Sequence, residues 1–290
     1  MNDLLCHENP DVVLLQEIKR ELCDKRFVGS VWKVKNKEWA VLPASGASRG
    51  VTIFWDAWRF KCLEVVLGSF SVTIKLECED EGSFWLSSVY GPGSSYFRKN
   101  FWLELQDLSS LTFLKWCVGG NFNVIRRISD KLGSSKETPS MRDFDDFMRE
   151  CELINLPPRN ASFTWSNLQE NPVCKRLDRF LFSSEWEFDF PHCIQEALPR
   201  LTSDHCPIVL NTNPFIWGPT PFSFKSMWLL HSDFKDKLGC WWNECRFKGW
   251  EGHKFMKKLP FVKSKLKEWN KDTFGGLKEK KKNIFILIYT

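Results

Sequence analysis

The chain has 290 residues, 43% of them hydrophobic and 27% charged, with 41 Lys+Arg against 36 Asp+Glu. That length suits one large domain with an appendage or two modest ones, and the composition excludes a long disordered chain and a membrane bundle. No run approaches the roughly 20 apolar residues that a bilayer span needs, and the opening Met1-Asn2-Asp3 has no basic flank before an apolar core, so no signal peptide is expected.

Residues 11–16 (Asp-Val-Val-Leu-Leu-Gln) form a continuous apolar run that fits a buried strand. Further strands are expected at 50–55, 65–76, 84–90, 116–119, 162–166, 179–182 and 207–210, several of them rich in Val, Ile, Thr and aromatics. Helical spacing appears at 97–108, where Phe101, Leu105 and Leu108 share a face, and at 140–153 through Phe144, Phe147, Met148 and Cys151. Ser140 is placed to cap the second helix, with Asp143 near its positive end. Strands outnumber helices, which favours a two-layer sheet core with helices outside.

Residues 211–221 hold three prolines and a glycine and read as a linker. Beyond it Leu259, Val262, Leu266 and Trp269 step along one helix face, with Pro260 in its first turn and Gly275-Gly276 at its end. The chain therefore divides into a body at 1–212, a linker at 213–222 and a helical basic extension at 223–290. Charge follows the same division. The stretch 246–282 carries 13 Lys+Arg and 4 Asp+Glu, whereas the first 245 residues carry 28 basic and 32 acidic groups. Such a tail meets phosphate or acidic partners, or is simply a solvated charged helix.

Eleven cysteines are scattered without a C-x-x-C pair, so zinc spacing is absent and reduced, mostly buried thiols in an intracellular protein are expected, nuclear or cytoplasmic. Fifteen tryptophans sit largely inside apolar runs, where core burial outweighs base stacking.

Five short strings lie at or just after the expected strands: Leu15-Gln16-Glu17, Val89-Tyr90-Gly91-Pro92, Gly119-Gly120-Asn121-Phe122-Asn123, Arg176-Leu177-Asp178-Arg179 and Ser203-Asp204-His205-Cys206-Pro207-Ile208. Taken singly, each has an ordinary structural explanation: a solvated strand end, a hydrogen-bonded turn, a packed tyrosine. Together they bring carboxylates, one histidine, one tyrosine and an amide to strand ends. Hard divalent cations take carboxylate oxygen plus substrate phosphate, and a histidine beside an aspartate can neutralise a developing phosphate charge. The unaided expectation is metal-assisted phosphoester hydrolysis.

The order and wording of these strings resemble the endonuclease/exonuclease/phosphatase superfamily, and more closely the endonuclease domain of plant LINE-type (non-LTR) retrotransposons. The segments 10–17, 162–165, 177–181, 203–208 and 224–228 (Phe-Lys-Ser-Met-Trp) carry that resemblance. It implies an α/β four-layer sandwich of the DNase-I-like kind, two mixed sheets flanked by helices, acting on the phosphodiester backbone of DNA with Mg²⁺. By resemblance Glu17 binds the metal and Asp178 lies in the metal and phosphate shell. Tyr90 contacts the scissile phosphate, Asn123 helps position it, and Asp204 orients the catalytic His205. Neither a membrane nor a protein partner is implied, and no residues for DNA contact are singled out.

Three departures accompany the resemblance. Asn121 stands where the family has the general-base aspartate, and an amide cannot accept a proton at neutral pH. The family's first strand is missing, which is expected to expose open sheet edges. The end of the chain, 278–290, runs out in a basic and then apolar tail with no obvious end to an element. The expectation is an impaired or inactive nuclease, with a non-catalytic nucleic-acid-binding module or a non-functional relic as the alternatives.

Overall fold

Val12 to Leu15 are all buried, but alternate residues face different cores, and that alternation runs through the molecule. The computed structural model describes residues 2–18, 23–44, 50–79, 82–112, 115–133, 136–200, 203–213, 231, 233–244, 250–273 and 284–290. In chain order the elements are α1 (Asn2–Glu8), β1 (Val12–Ile18), α2 (Lys25–Val31), β2 (Lys37–Leu42), β3 (Gly50–Asp56), β4 (Lys61–Leu67), β5 (Ser71–Cys78) and β6 (Gly82–Tyr90). They continue with α3 (Arg98–Leu111), β7 (Trp116–Asn121), α4 (Pro139–Glu150), β8 (Ile154–Asn155), β9 (Trp165–Ser166), β10 (Cys174–Lys175), β11 (Asp178–Phe182), α5 (Ser184–Asp189), β12 (Ile194–Ala197) and β13 (Ile208–Asn211). The last are α6 (Phe234–Glu244), α7 (Glu251–Thr273) and β14 (Phe285–Tyr289).

Two six-stranded mixed sheets result, in the orders β12-β13-β14-β1-β3-β2 and β4-β5-β6-β7-β11-β8, beside a small β9-β10 pair. Val12, Leu14, Ile53, Trp55, Ile74, Leu86, Phe180, Ile208, Ile286 and Ile288 pack between the sheets. Val13, Leu15, Phe54 and Leu287 face the other way, onto Leu5 of α1 and Val28 and Val31 of α2. On the outer face of the second sheet Trp85, Val89, Val118 and Leu181 pack against Phe101 and Leu105 of α3 and Phe144 and Phe147 of α4. Period-two strands sandwiched by period-3.6 helix faces give the four layers, the DNase-I-like α/β sandwich that the motifs implied.

The departures from the sequence-based expectations have local causes. Residues 65–76 are not one strand: the chain turns at Gly68–Phe70, where Glu104 of α3 accepts hydrogen bonds from the Ser69 and Phe70 amides and the Ser71 hydroxyl. Thr138, not Ser140, stands at the N-cap of α4, because Pro139 fits the first helical position. Ser140 instead accepts a hydrogen bond from Arg98. Of the expected strand 162–166 only Trp165–Ser166 forms one.

The largest correction concerns the sheet edge at β1. No open edge stands there, because β14 lies between β1 and β13, parallel to the first (Val12↔Ile286, Leu14↔Ile288) and antiparallel to the second (Ile208↔Ile288, Leu210↔Ile286). The apolar end of the chain is thus a central strand, not part of a helical extension. Ile284, Ile286, Leu287 and Ile288 are fully buried, at about 1.5–3 kcal/mol each. The chain leaves the sheet after Asn211 and returns at Phe285, which is its pairing partner, and Thr212 and Ile284 exchange two further hydrogen bonds.

Between those points lies a second compact unit, Trp217–Lys281, the first comprising Met1–Ile216 and Lys282–Thr290. Within the second unit Phe234, Leu266 and Trp269 form a small core with Leu238 and Trp241 alongside. Helix α7 begins at Glu251, so Pro260 lies inside it and not in its first turn. Gly275-Gly276, most of the expected linker and the segment 224–228 lie outside the described residues.

Candidate active site

β1 and β14 run parallel in one sheet and β6 and β7 in the other, and hydrogen bonds from Gln16 join their ends at one pole of the sandwich, where β11 begins. Gln16 ties the sheets together there. Its buried amide donates to the Val89 carbonyl at 2.6 Å, and its oxygen accepts from the Asn121 backbone amide at 3.0 Å. Gly120 permits this closeness. With φ at +154°, a Cβ on it would stand 1.9 Å from the Val89 oxygen and 2.4 Å from Gln16 Nε2.

The pairing of β1 with β3 shifts register between Leu15 and Ile18, and Glu17 holds a left-handed backbone with φ 57°. Its Oε1 accepts the Tyr90 hydroxyl at 2.6 Å. Asn123 is also left-handed, with φ 53°. Its side chain donates to the Gly91 carbonyl at 2.7 Å, and its backbone amide donates to Asn121 Oδ1 at 2.8 Å. Non-glycine residues in this region cost of order 1–3 kcal/mol each and gather at functional sites.

Asp178 is 1% exposed and fully engaged. Oδ2 accepts from Thr164 Oγ1 at 2.6 Å and faces His205 Nδ1 at 2.8 Å; Oδ1 accepts the Thr290 hydroxyl at 3.1 Å. Thr164 in turn accepts the Leu177 and Asp178 amides. Burial draws the His205 pKa down, but the hydrogen bond to Asp178 and the charges of Asp178, Asp204 and Glu17 outweigh it, and the net position is above the ordinary histidine value. With Nδ1 committed to Asp178, Nε2 is the ring nitrogen left for a ligand.

The sequence-derived residues therefore gather at one pole, with one contact different from that expected. His205 is oriented by Asp178 and not by Asp204, whose carboxylate accepts the Trp165 indole at 2.7 Å. The reason is local geometry. His205 lies at an isolated bridge to Trp165, its imidazole on Asp178 at the start of β11, while the Asp204 carboxylate lies on the Trp165 indole. Sequence reasoning missed Gln16 as the link between sheets, Thr164 as the support of Asp178, and Thr290. A buried polar residue inside the run 11–16 was the signal for the first; nothing local marked the other two.

Asn121 is wholly buried, and among the described residues its Nδ2 has no hydrogen-bond partner. The Asn123 amide fixes Oδ1 as the acceptor, so an amide flip would break that bond. A carboxylate would present no such orphaned donor. Among the described residues no three His, Cys, Asp or Glu stand together as a metal cage. Hard cations of the Mg²⁺ type need only one or two carboxylates plus substrate phosphate, and Glu17 fits as such an anchor.

No protein-family profile and no curated protein matches the chain. Solved structures do. The AP endonuclease LMAP from Leishmania major superposes with TM-score 0.57 at 16% identity, covering 71% of this chain and 79% of that one. The endonuclease domain of TRAS1, a telomere-specific non-LTR retrotransposon, gives TM-score 0.57 at 12% identity over 72% and 88%. The 3′ phosphatase NExo (D146N) from Neisseria, bound to product DNA hairpin, gives 0.55 at 16% over 71% and 90%. At 16% identity or less, these likenesses are of fold.

Proposed function

We propose that the chain carries a phosphodiesterase site for DNA, related to the endonuclease of a LINE-type retrotransposon, in which an amide at position 121 has silenced the attacking step. The fold shared with nucleases and a phosphatase supports the reaction class, and the five motifs support the retrotransposon lineage. The single observation that carries the silencing is the orphaned Nδ2 of Asn121 at the wall of an otherwise hydrogen-bonded network.

In this reading a divalent cation, when bound, supplies Lewis-acid polarisation of the phosphate, with Glu17 as its carboxylate anchor. Tyr90 donates its hydroxyl proton to Glu17 here, and turns it to the scissile phosphate once Glu17 takes the cation. His205, whose charged form the contact with Asp178 favours, donates from Nε2 to the oxygen on which charge develops. Asn123 fixes the loop at Gly91 beside the phosphate. What the chain lacks is a group to take the proton of the attacking water, which contributes about 10²–10⁴-fold. The basic stretch 246–282 favours a second reading, a nucleic-acid-binding module without cleavage.

The test is nicking of supercoiled plasmid, with Mg²⁺ or with EDTA. The parent, Asn121→Asp, and Asn121→Asp combined with His205→Ala are compared. The expected result is Mg²⁺-dependent nicking by Asn121→Asp that the added His205→Ala removes. Nicking that persists without His205 would overturn the assignment.

A further inference from the structure

Outside the catalytic pole the described residues hold a concentration of arginines that the reaction does not use. A cavity of about 200 Å³ is lined by Arg126, Arg127, Ser129, Asp130, Asn155 and Arg176, together with Pro157. Three arginines thus line a cavity that holds one carboxylate, and that carboxylate is already engaged. Asp130 Oδ2 accepts the Arg126 and Arg127 backbone amides at 2.9 Å each and the fully buried Arg179 side chain at 2.7 Å. Arg126 is answered by Asp145 at 2.6 Å. Arg176 stands 3.8 Å from Asp130 and its side chain is 10% exposed; its Nη2 donates to Asn155 Oδ1 at 2.6 Å, and among the described residues its Nε has no partner. Arg127 is exposed and makes no ion pair among the described residues.

Burial first, and then repulsion from Arg179, outweigh the attraction of Asp130 and lower the Arg176 pKa to about 10, with Arg126 and Arg127 adding to the repulsion. Like charges held together with unmatched donors at a cavity wall are costly unless an anion neutralises them. The planar fork of a guanidinium matches the oxygens of phosphate in two-point hydrogen bonds, and the cavity is large enough for one tetrahedral oxyanion.

We propose that this cavity is a phosphate-binding site that receives a backbone phosphate of a nucleic-acid strand. The assignment to nucleic acid rests on the proposed function; the affinity for phosphate does not. Both walls are joined to the catalytic pole by short chain: Arg126 follows Asn123 by three residues and Arg176 precedes Asp178 by two, and the Phe122 amide donates to the Leu177 carbonyl at 3.0 Å. A strand engaged at the catalytic pole would then be held at a second phosphate.

The experiment uses the full chain and Arg127→Gln, an exposed change that keeps the backbone bond to Asp130. Calorimetric titration with inorganic phosphate at constant ionic strength is paired with anisotropy of a fluorescent DNA oligonucleotide across a KCl series. Phosphate binding to the parent is expected, weakened about tenfold or more in Arg127→Gln. The oligonucleotide affinity should fall as well, and its log–log salt slope should shrink by about one. Loss of phosphate binding with unchanged oligonucleotide binding would keep the site and make free phosphate its ligand. No phosphate binding by the parent, or equal binding by the variant, would overturn the proposal. These readouts do not depend on cleavage, so a failure of plasmid nicking leaves them interpretable.

Discussion

Thr164 shows how much of the site hangs on single side chains. Its hydroxyl donates to Asp178 and accepts the amides of Leu177 and Asp178, so Thr164→Val leaves two buried amides without an acceptor. We expect a loss of about 2–4 kcal/mol in urea denaturation, with Thr164→Ser close to the parent. Asp130 holds the loop after the Asn121-Phe122-Asn123 string in the same way. Burial raises its carboxyl, but the Arg179 charge, the Arg127 amide and Arg176 outweigh it, and the pKa lies below 3.8. A depressed carboxyl contributes stability above its unfolded pKa and loses it as pH falls through the folded value. Asp130→Asn should therefore cost about 3–5 kcal/mol at neutral pH, and its difference from the parent should shrink on acidification below about 3.8. The sequence alone exposed Glu17, Tyr90, Asn121, Asn123, Asp178 and His205, because each sits in a short string at a strand end. It could not say that Asp178, and not Asp204, holds the imidazole, since that depends on which way two neighbouring side chains point.

Among the elements, β14 was the least legible and is structurally the most consequential. Its short apolar run is ordinary, and it lies far along the chain from its partner β1, so no local signal revealed the parallel pairing. The strands 84–90 and 179–182, by contrast, were legible within a few residues because their composition and their flanking turns agree. Deleting residues 284–290 removes four fully buried aliphatic side chains, about 6–12 kcal/mol, against a typical domain stability of about 5–15 kcal/mol. The deletion should abolish cooperative thermal unfolding, read by circular dichroism. A truncated chain that melts like the parent would show that β14 is dispensable. The loop after β6 was legible too, yet the turn at Gly68–Phe70 was not, because the carboxylate that caps it comes from α3.

For the whole molecule, the first unit is a four-layer sandwich whose last strand is supplied after a separate unit of about 65 residues. Because Asn211 and Phe285 are paired, and Thr212 and Ile284 close the mouth of the hairpin, a short turn should replace residues 214–282. A chain carrying such a turn should keep a melting temperature within a few degrees of the parent, and loss of folding would place part of the first unit's stability in the excised segment. Fold class was legible because five ordered strings and the strand count agree; completeness of the sheet was not, because it depends on a long-range pairing. The most direct test of the whole account is the single-turnover nicking rate of Asn121→Asp relative to the parent, on the same plasmid in Mg²⁺. A carboxylate restored to an intact network should raise the rate by at least about 100-fold. Equal rates for the two proteins would contradict the claim that the scaffold is complete and that one amide silences it.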